Sequence, residues 1–296
     1  MLESLHLDAV EDAEDQPHQG EHEQPLEVED QGEAESIGLD DDHEGAILGD
    51  RSRVTNRSPL GDPLKPKAIV LLSGGLDSTT CAAWALREGY EVVALSLDYG
   101  QRQRIELERA RAVATRLGVE HRVVKVDLAV LGGSALTDPA LDVPKDRDEE
   151  AIGAGVPVTY VPARNTILLS LALGLAEVVD ARHLVIGVNR LDYSGYPDCR
   201  APFLRAFEEL AQVATRAGAE EGVRFEVLAP LLDLSKADIV RLARSLEAPI
   251  ELTHSCYDPD PEGRSCGRCD ACRLRLRGFA EAGCEDPIPY AEGGAP

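Results

Sequence analysis

Short apolar runs alternate with amphipathic segments through most of the chain. A continuous apolar run of the kind formed by a strand buried on both faces covers 67–73, and further predicted strands cover 91–98, 120–127, 183–187 and 225–228. Segments with helical spacing of apolar residues cover 78–88, 103–117, 165–181, 202–217 and 235–246. This order predicts an α/β protein with a doubly wound, Rossmann-like parallel sheet and helices on both faces.

Two parts of the chain do not follow this alternation. Residues 129–163 are rich in Gly, Pro and Asp, and so long a loop in a compact domain is usually functional or mobile. From Thr253 onward, turn residues and cysteines dominate. We therefore predict an α/β domain at 67–250 and a small cysteine-rich segment at 251–290, packed on that domain.

Polar residues follow three of the predicted strands. Ser73, Asp98 and Asn189 each lie at or just beyond a strand end. Because ligands of open parallel sheets bind outside the carboxyl ends of the strands, we expect these residues to share one edge of the sheet.

The net charge is distributed unevenly. Residues 1–50 contain 18 Asp or Glu, four His and no Lys, Arg or aromatic residue, so they carry −18 of the chain's −24. Such a segment cannot bury enough apolar surface to offset its ordering entropy, so we predict a disordered acidic tail and linker over 1–66. We favour this interpretation over a metal-binding tail formed by the four histidines, because a block of charge is usually a solvated segment. The remaining −6 argues against a protein that neutralises nucleic-acid phosphates.

The sequence directs the chain neither to a membrane nor out of the cell. No apolar run approaches the ~18 residues of a membrane span, and the start lacks the basic residues and apolar core of a secretory signal. Seven cysteines without such a signal indicate a reducing cytoplasm, where clustered cysteines bind metals or take part in catalysis. Because Met1 is the only methionine, a native start near Val54 is a further hypothesis, which the intact mass tests.

The stretch "LLSGGLDSTT" follows the first strand and opens the first helix. Its glycines allow a sharp turn, and the amides of the loop and the next helical turn can bind an anion. It lacks the Gly-Lys-Ser/Thr that holds β- and γ-phosphates in nucleoside-triphosphate-hydrolysing loops. A plain strand–turn–helix connection is the alternative. Asp77 cannot hold phosphate itself, and either orients the amides or meets Mg²⁺. The predicted phosphate site comprises Leu72, Ser73, Gly74, Gly75, Leu76, Asp77, Ser78 and Thr79.

The cysteines at the end of the chain form a metal-site pattern. Their spacing, C-x9-C-x2-C-x2-C, involves Cys256, Cys266, Cys269 and Cys272. Two-residue gaps let sulfurs converge on one ion, and four thiolates close a structural Zn²⁺ site with bonds of about 2.3 Å. An iron–sulfur cluster and a redox dithiol are less favoured alternatives. For Cys199, a packing role is favoured over a nucleophile, because no adjacent base can be identified in the sequence.

The string Ser-Gly-Gly-x-Asp-Ser after a buried strand resembles the pyrophosphate loop of the ATP-pyrophosphatase superfamily, also called adenine nucleotide alpha-hydrolase-like. That superfamily includes NAD, GMP and asparagine synthetases and tRNA-thiolating enzymes. The resemblance implies that ATP is cleaved between its α- and β-phosphates. The loop would hold the leaving pyrophosphate while a substrate oxygen takes AMP.

Further stretches carry a more specific resemblance. They are "LDYGQRQRIEL" from Leu97, "VPARNTILLS" from Val161, "GVNRLDYSGYPDCRAPFL" from Gly187 and "LAPLLDLSKADIV" from Leu228. With the glycine loop and the cysteine pattern, they resemble the 7-cyano-7-deazaguanine synthases, the nitrile-forming family of queuosine biosynthesis. The resemblance covers 67–290. This chain departs from the family pattern at Gln103, where the family usually has His. Any acid or base role of the family's histidine is therefore not expected of this chain.

The family resemblance implies a reaction. ATP adenylates the carboxylate of 7-carboxy-7-deazaguanine and releases pyrophosphate, and ammonia then displaces AMP to give an amide. A second ATP-dependent activation dehydrates the amide to the nitrile. The resemblance also suggests a homodimer, and we expect Mg²⁺ with ATP and no direct nucleic-acid partner.

Candidate residues for these steps come from three stretches. Arg164 and Lys236 would neutralise developing phosphate charge, with a surface salt bridge and a helix-start lysine as the alternatives. Residues that would bind the deazaguanine, unless they only form a hydrogen-bonded turn, are Asp192, Tyr193, Tyr196 and Asp198. Asp198 is also a catalytic candidate.

Three other functions remain open at this level. A relative could adenylate the same carboxylate but transfer it to a protein amine. A tRNA-thiolating enzyme would need a basic RNA-binding face, which the charge of −6 does not favour. A non-catalytic nucleotide-binding module is disfavoured by the intact glycine loop.

Overall fold

The computed structural model describes residues 65–101, 105–153, 155–189 and 196–293, all within one compact unit of the chain. The acidic tail predicted at the start lies outside the described residues, apart from the last two residues of the linker. Five strands form one parallel sheet in this part of the chain. They are β1 Lys67–Leu71, β2 Glu91–Asp98, β3 Glu120–Lys125, β4 His183–Val185 and β5 Glu226–Leu228. Their order in the sheet is β3-β2-β1-β4-β5, and every neighbouring pair is parallel.

Helices alternate with these strands. They are α1 Leu76–Arg87, α2 Ile105–Leu117, α3 Glu149–Gly153, α4 Arg164–Val179, α5 Ala201–Ala214, α6 Arg216–Ala219, α7 Lys236–Ser245 and α8 Asp270–Glu281. The helix predicted at 202–217 is divided at Thr215, whose hydroxyl caps α6 by accepting a hydrogen bond from Gly218 N at 2.9 Å.

The sheet has a separate core on each face, which confirms the doubly wound architecture. Alternate residues of β1 enter different cores, because successive side chains of a strand point to opposite faces. Ile69 and Leu71 pack with buried residues of α4 and α5, whereas Ala68 and Val70 pack with those of α1, α2 and α7. β1 is therefore buried on both faces, as its continuous apolar run predicts.

The part of the chain after Thr253, where turn residues and cysteines dominate, also contains a helix that the sequence did not predict, α8. This helix begins after Cys269, packs against α7, and ends in a turn at Gly283. Its buried face includes Asp270, Cys272 and Arg275, residue types that are usually exposed or bound to metal. The apolar periodicity that would have predicted the helix is therefore weak.

The long segment at 129–163 is anchored to the cysteine-rich part of the chain. Three consecutive charged residues of the segment form ion pairs with the cysteine-rich part. Lys145 pairs with Asp258, Asp146 with Arg268, and Arg147 with Asp270. Asp146 N also donates to the carbonyl of Arg268 at 2.9 Å. The described part of this segment is thus held in place rather than detached from the domain.

Candidate active site

A pocket opens at the carboxyl ends of β1, β2 and β4. Ser73 after β1, Tyr99 after β2 and Asn189 after β4 line it. Ser73 and Asn189 therefore share one edge of the sheet, as expected. Asp98 still belongs to β2 and does not line the pocket, whereas the next residue does.

The glycine loop forms one wall of this pocket and is braced by its own hydroxyl groups. Ser73 N donates to Ser78 Oγ at 3.1 Å, and Ser78 Oγ donates to the carbonyl of Gly75 at 3.2 Å. Six of the eight predicted phosphate-site residues line the pocket: Leu72, Ser73, Gly75, Leu76, Asp77 and Ser78. Gly74 does not line it, and neither does Thr79, which is buried in α1.

Gly74 is the point where three parts of the chain meet. Its φ is +85°, and a Cβ at this position would lie 2.4 Å from Glu106 O and 2.7 Å from Ala110 N of α2. Its own carbonyl accepts a hydrogen bond from His254 N at 2.9 Å. Both the left-handed backbone and the approach of α2 therefore require glycine here.

Lys236 and Asp77 form a buried ion pair beside the glycine loop. Lys236 Nζ lies 2.9 Å from each carboxylate oxygen of Asp77, and the lysine side chain is only 6% exposed. The aliphatic part of Lys236 passes over Gly278 of α8, where a Cβ would approach its Cγ to 2.3 Å. Lys236 is the first residue of α7, which agrees with the alternative of a helix-start lysine. Its side chain nevertheless lines the pocket.

Arg164 begins α4 and places a second cation in the pocket. Burial alone would lower its pKa, but the phenol groups of Tyr99, Tyr196 and Tyr257 act more strongly together and raise that pKa above its usual value. Arg164 therefore stays charged, and the surface salt bridge considered for it is not what the structure shows.

Glu106, on the first turn of α2, also lines the pocket. Burial raises the pKa of its carboxyl group to about 7, although the charge of Arg164 acts in the opposite direction. Across from it, burial and then the charge of Glu106 raise the pKa of Tyr99 to about 12. A carboxyl group that titrates near neutral pH is uncommon and is typical of functional sites.

The residues proposed to bind the deazaguanine have different positions. Tyr196 lines the pocket, its hydroxyl lies 3.1 Å from Thr159 Oγ1, and its ring centroid lies 5.5 Å from that of Tyr160. Asp198 is buried behind the pocket, where its Oδ2 accepts a hydrogen bond from Asn165 N at 3.1 Å. Its Oδ1 has no hydrogen-bond partner among the described residues. Three predicted positions lie outside the described residues: Asp192, Tyr193 and Gln103.

Cys199 lines the pocket without the properties of a nucleophile. Burial, followed by the charge of Asp198, raises the pKa of its thiol to about 12. Its sulfur accepts a hydrogen bond from Asn165 Nδ2 at 3.4 Å. Since the thiolate is the reactive form, these surroundings favour the packing interpretation.

The four clustered cysteines come together at one point. The sulfurs of Cys256, Cys266, Cys269 and Cys272 all lie within 4.8 Å of one another. Four thiolates around a tetrahedral zinc stand about 3.8 Å apart for bonds of about 2.3 Å, so the donor set and its spacing fit that ion. Backbone N–H groups also point at the sulfurs, including Cys266 N to Cys256 Sγ at 3.2 Å. Hydrogen bonds from the backbone to the ligand atoms are typical of metal–thiolate sites, because they orient the sulfurs.

The cysteine cluster connects directly to the pocket. The chain leading into Cys256 contains His254, which hydrogen-bonds to Gly74, and Ser255, which lines the pocket. Arg275 of α8 holds this stretch through a hydrogen bond in which its Nη1 donates to Ser255 Oγ at 3.2 Å. Arg275 is itself held by Asp286 through two hydrogen bonds of 2.6 and 2.9 Å.

Among the charged and aromatic residues that line the pocket, sequence reasoning missed Tyr99, Glu106, Tyr257 and Arg275. The first two lie within "LDYGQRQRIEL", Tyr257 directly follows Cys256, and Arg275 lies three residues after Cys272. Their membership in these stretches is the signal that could have identified them. Their roles depend on which side chains the fold brings opposite them.

The parallel sheet and the glycine loop at the end of its central strand define a doubly wound α/β protein with a pocket at the carboxyl ends of its strands. A family model described as Queuosine biosynthesis protein QueC matches residues 67–283. The 7-cyano-7-deazaguanine synthase of Anaeromyxobacter dehalogenans is 62% identical over 227 residues, which cover 76% of this chain and 96% of that protein. The synthase of the same name from Geotalea daltonii is 60% identical over 77% of this chain and 98% of that protein. The chain therefore belongs to the QueC family of queuosine biosynthesis proteins.

Two further findings complete the comparison. The solved NMN synthetase from Francisella tularensis aligns over 75% of this chain and 79% of that chain, with 17% identity and a TM-score of 0.41. A likeness this distant carries no conclusion about function. None of the helices in the described ranges is long and apolar enough to cross a membrane.

We expect Gly74→Ala to be much more destabilising than Gly89→Ala. Both glycines have a similar positive φ, of +85° and +91°, but only Gly74 has backbone atoms where the new methyl group would lie. The shared strain costs roughly 1–2 kcal/mol, and overpacking at Gly74 adds about 1–3 kcal/mol. Urea denaturation of both variants measures the difference. Equal losses in the free energy of unfolding would contradict the close packing of α2 on the loop.

Proposed function

We propose that this chain converts 7-carboxy-7-deazaguanine and ammonia to 7-cyano-7-deazaguanine, with ATP consumed in two activations. Its membership in the QueC family and the names of its relatives support this reaction. The observation that carries it is the glycine loop with a buried lysine at its side, facing a pocket at the carboxyl edge of the sheet. A poor oxygen leaving group becomes a good one when it is joined to AMP, which explains the use of ATP.

The glycine loop is proposed to hold the pyrophosphate part of ATP. The amides of the loop and of the first turn of α1, together with the hydroxyl of Ser73, are the proposed donors, while Ser78 braces the loop through its hydrogen bond to the carbonyl of Gly75. Lys236 lies beside them in a fixed position, so its charge would stabilise the pyrophosphate as it leaves. Arg164 would do the same from the N-terminus of α4.

Asp77 is proposed to position Lys236 rather than to bind a metal. Both of its carboxylate oxygens contact Lys236 Nζ. Mg²⁺ commonly keeps several waters and binds through substrate phosphates, so ATP can bring the ion without this carboxylate. We therefore propose that Mg²⁺ enters with ATP and neutralises phosphate charge.

The deazaguanine is proposed to bind at the wall that carries Tyr196. The phenol ring of Tyr196 lines the pocket and suits a flat heterocycle, and Asp198 is proposed to support this wall from behind through its hydrogen bond to Asn165 N. Asp192 and Tyr193 belong to the same proposed substrate site. A catalytic role for Asp198 has weaker support, because it does not line the pocket.

The cysteine cluster is proposed to hold structural Zn²⁺. Zinc bound by four thiolates has no open position for chemistry, so its contribution would be to fix the chain between Ser255 and α8. We also propose the domain division at 67–250 and 251–290, a homodimer like that suggested for the family, and a cytoplasmic location in which the thiols stay reduced.

We expect the purified protein, given 7-carboxy-7-deazaguanine, ATP, Mg²⁺ and ammonium, to form the nitrile together with AMP and pyrophosphate. Mass spectrometry detects the nitrile, and chromatography separates AMP from ADP. Formation of ADP and phosphate would contradict the role assigned to the glycine loop. Formation of the carboxylate adenylate without any amide or nitrile would favour transfer to a protein amine instead.

We expect Cys269→Ser to lose zinc and stability, whereas Cys284→Ser retains both. Cys269 is one of the four converging sulfurs, while Cys284 lies outside the cluster and makes a matched control. Losing one ligand of a closed zinc site removes binding energy that also stabilises the fold. Elemental analysis and thermal unfolding measure the two effects. Full zinc content in Cys269→Ser would refute the assigned ligand set.

A further inference from the structure

The proposed reaction requires three proton transfers for which no acceptor has been assigned. Ammonia that attacks the acyl adenylate becomes a positively charged nitrogen, which must lose a proton before a stable amide forms. The activated amide must later lose both of its N–H protons as the nitrile forms. An acceptor close to the reacting carbon, with a pKa near the working pH, accelerates such steps.

Most titratable groups in the pocket are unsuited to this task. Burial raises the pKa of Tyr99 and of Cys199 to about 12. Both side chains therefore stay protonated at neutral pH, and neither can accept a proton. Asp77 is engaged by Lys236 through both oxygens. None of the described residues that line the pocket is a histidine, and His254 lies behind the glycine loop, where its backbone N–H donates to Gly74.

We propose that Glu106 is the general base of the ammonia-dependent steps. This inference rests on the proposed function. The geometry assigns Glu106 to the pocket because α2 begins beside it, and the backbone of the same residue packs against Gly74 of the glycine loop. Glu106 thus lines the same pocket as the proposed pyrophosphate site, on the helix whose backbone packs against the glycine loop.

Each step balances with Glu106 as the acceptor. In the first, the nitrogen of ammonia forms a bond to the carboxyl carbon, a proton moves to Glu106, and the carbon–oxygen bond to AMP breaks. In the second, the adenylated amide loses its two N–H protons one after the other to Glu106, which passes the first to water before it accepts the second. The carbon–nitrogen triple bond forms, and AMP again leaves with the oxygen. All three protons pass to water, and no oxidant or reductant is required.

The surroundings of Glu106 suit a group that must switch between two protonation states. Arg164 of α4 and Tyr99 after β2 are the charged and titratable groups that face it from neighbouring elements. Burial favours the neutral acid and Arg164 favours the carboxylate, so the two effects oppose each other and leave its pKa at about 7. After the proton transfer, the neutral acid is stabilised by the same burial.

The test uses Glu106→Gln, which keeps the shape of the side chain and removes its basicity. The matched control is Glu108→Gln on the same helix, because Glu108 is exposed and does not line the pocket. Adenylation is measured by exchange of labelled pyrophosphate into ATP with 7-carboxy-7-deazaguanine but without ammonia. Amide and nitrile formation are measured at constant free ammonia over a range of pH.

We expect Glu106→Gln to retain pyrophosphate exchange and to form amide and nitrile about 100-fold or more slowly, the typical contribution of a general base. The wild-type rate should rise with pH through a midpoint near the pKa of about 7, because only the carboxylate accepts protons, and the variant should lack this midpoint. Glu108→Gln should behave as wild type in every respect.

Two results would overturn the inference. If exchange falls as much as amide formation, Glu106 acts through Arg164 or the fold instead of accepting protons. If amide formation is unchanged, or slower with the midpoint retained, another group is the base. A wild-type protein that forms no amide at all would refute the proposed function itself, and is distinguished by running that reaction first.

Discussion

The close contact at Gly74 is the constraint on which the pocket depends. Here the end of the central strand turns with a positive φ, the first turns of α2 come within backbone contact, and the chain from the cysteine cluster adds a hydrogen bond through His254. No side chain can occupy this point. As a result, the glycine loop, the helix that carries Glu106 and the cysteine-rich segment keep fixed positions relative to one another.

The C-terminal part of the chain supports the same site from the other side. α8 lies against α7, and the absence of a side chain at Gly278 allows Lys236 to reach Asp77. Arg275 links Asp286 to Ser255, which lines the pocket. A metal held by the four cysteines would therefore stabilise the polar groups of the pocket through α8, although it lies outside the chemistry.

The sequence predicts the sheet well because buried parallel strands have an unmistakable composition. β1 is apolar after its first residue, the interior of β2 is apolar except for Ser96, and the boundaries predicted for β2 match those observed. α8 escaped prediction because its buried face is built from residues such as Asp270 and Arg275, which find their partners only in the folded protein. Local periodicity carries no information about such pairings.

The same limit applies to the pocket. The glycine loop and the four cysteines could be found because their function requires a local spacing of residues. The pair between Lys236 and Asp77 joins residues 159 positions apart, so nothing local predicts it. Glu106 resembles any exposed glutamate of a charged helix in the sequence, and only the approach of α2 to the glycine loop distinguishes it from Glu108.

The central claim is that a substrate oxygen attacks the α-phosphate while the glycine loop holds pyrophosphate. The most direct measurement follows a heavy oxygen isotope placed in both carboxylate oxygens of 7-carboxy-7-deazaguanine, with mass analysis of all products. Because AMP leaves with the substrate oxygen in each activation, the label should appear in AMP, while the nitrile carries none. Label found in inorganic phosphate, with unlabelled AMP, would contradict the account.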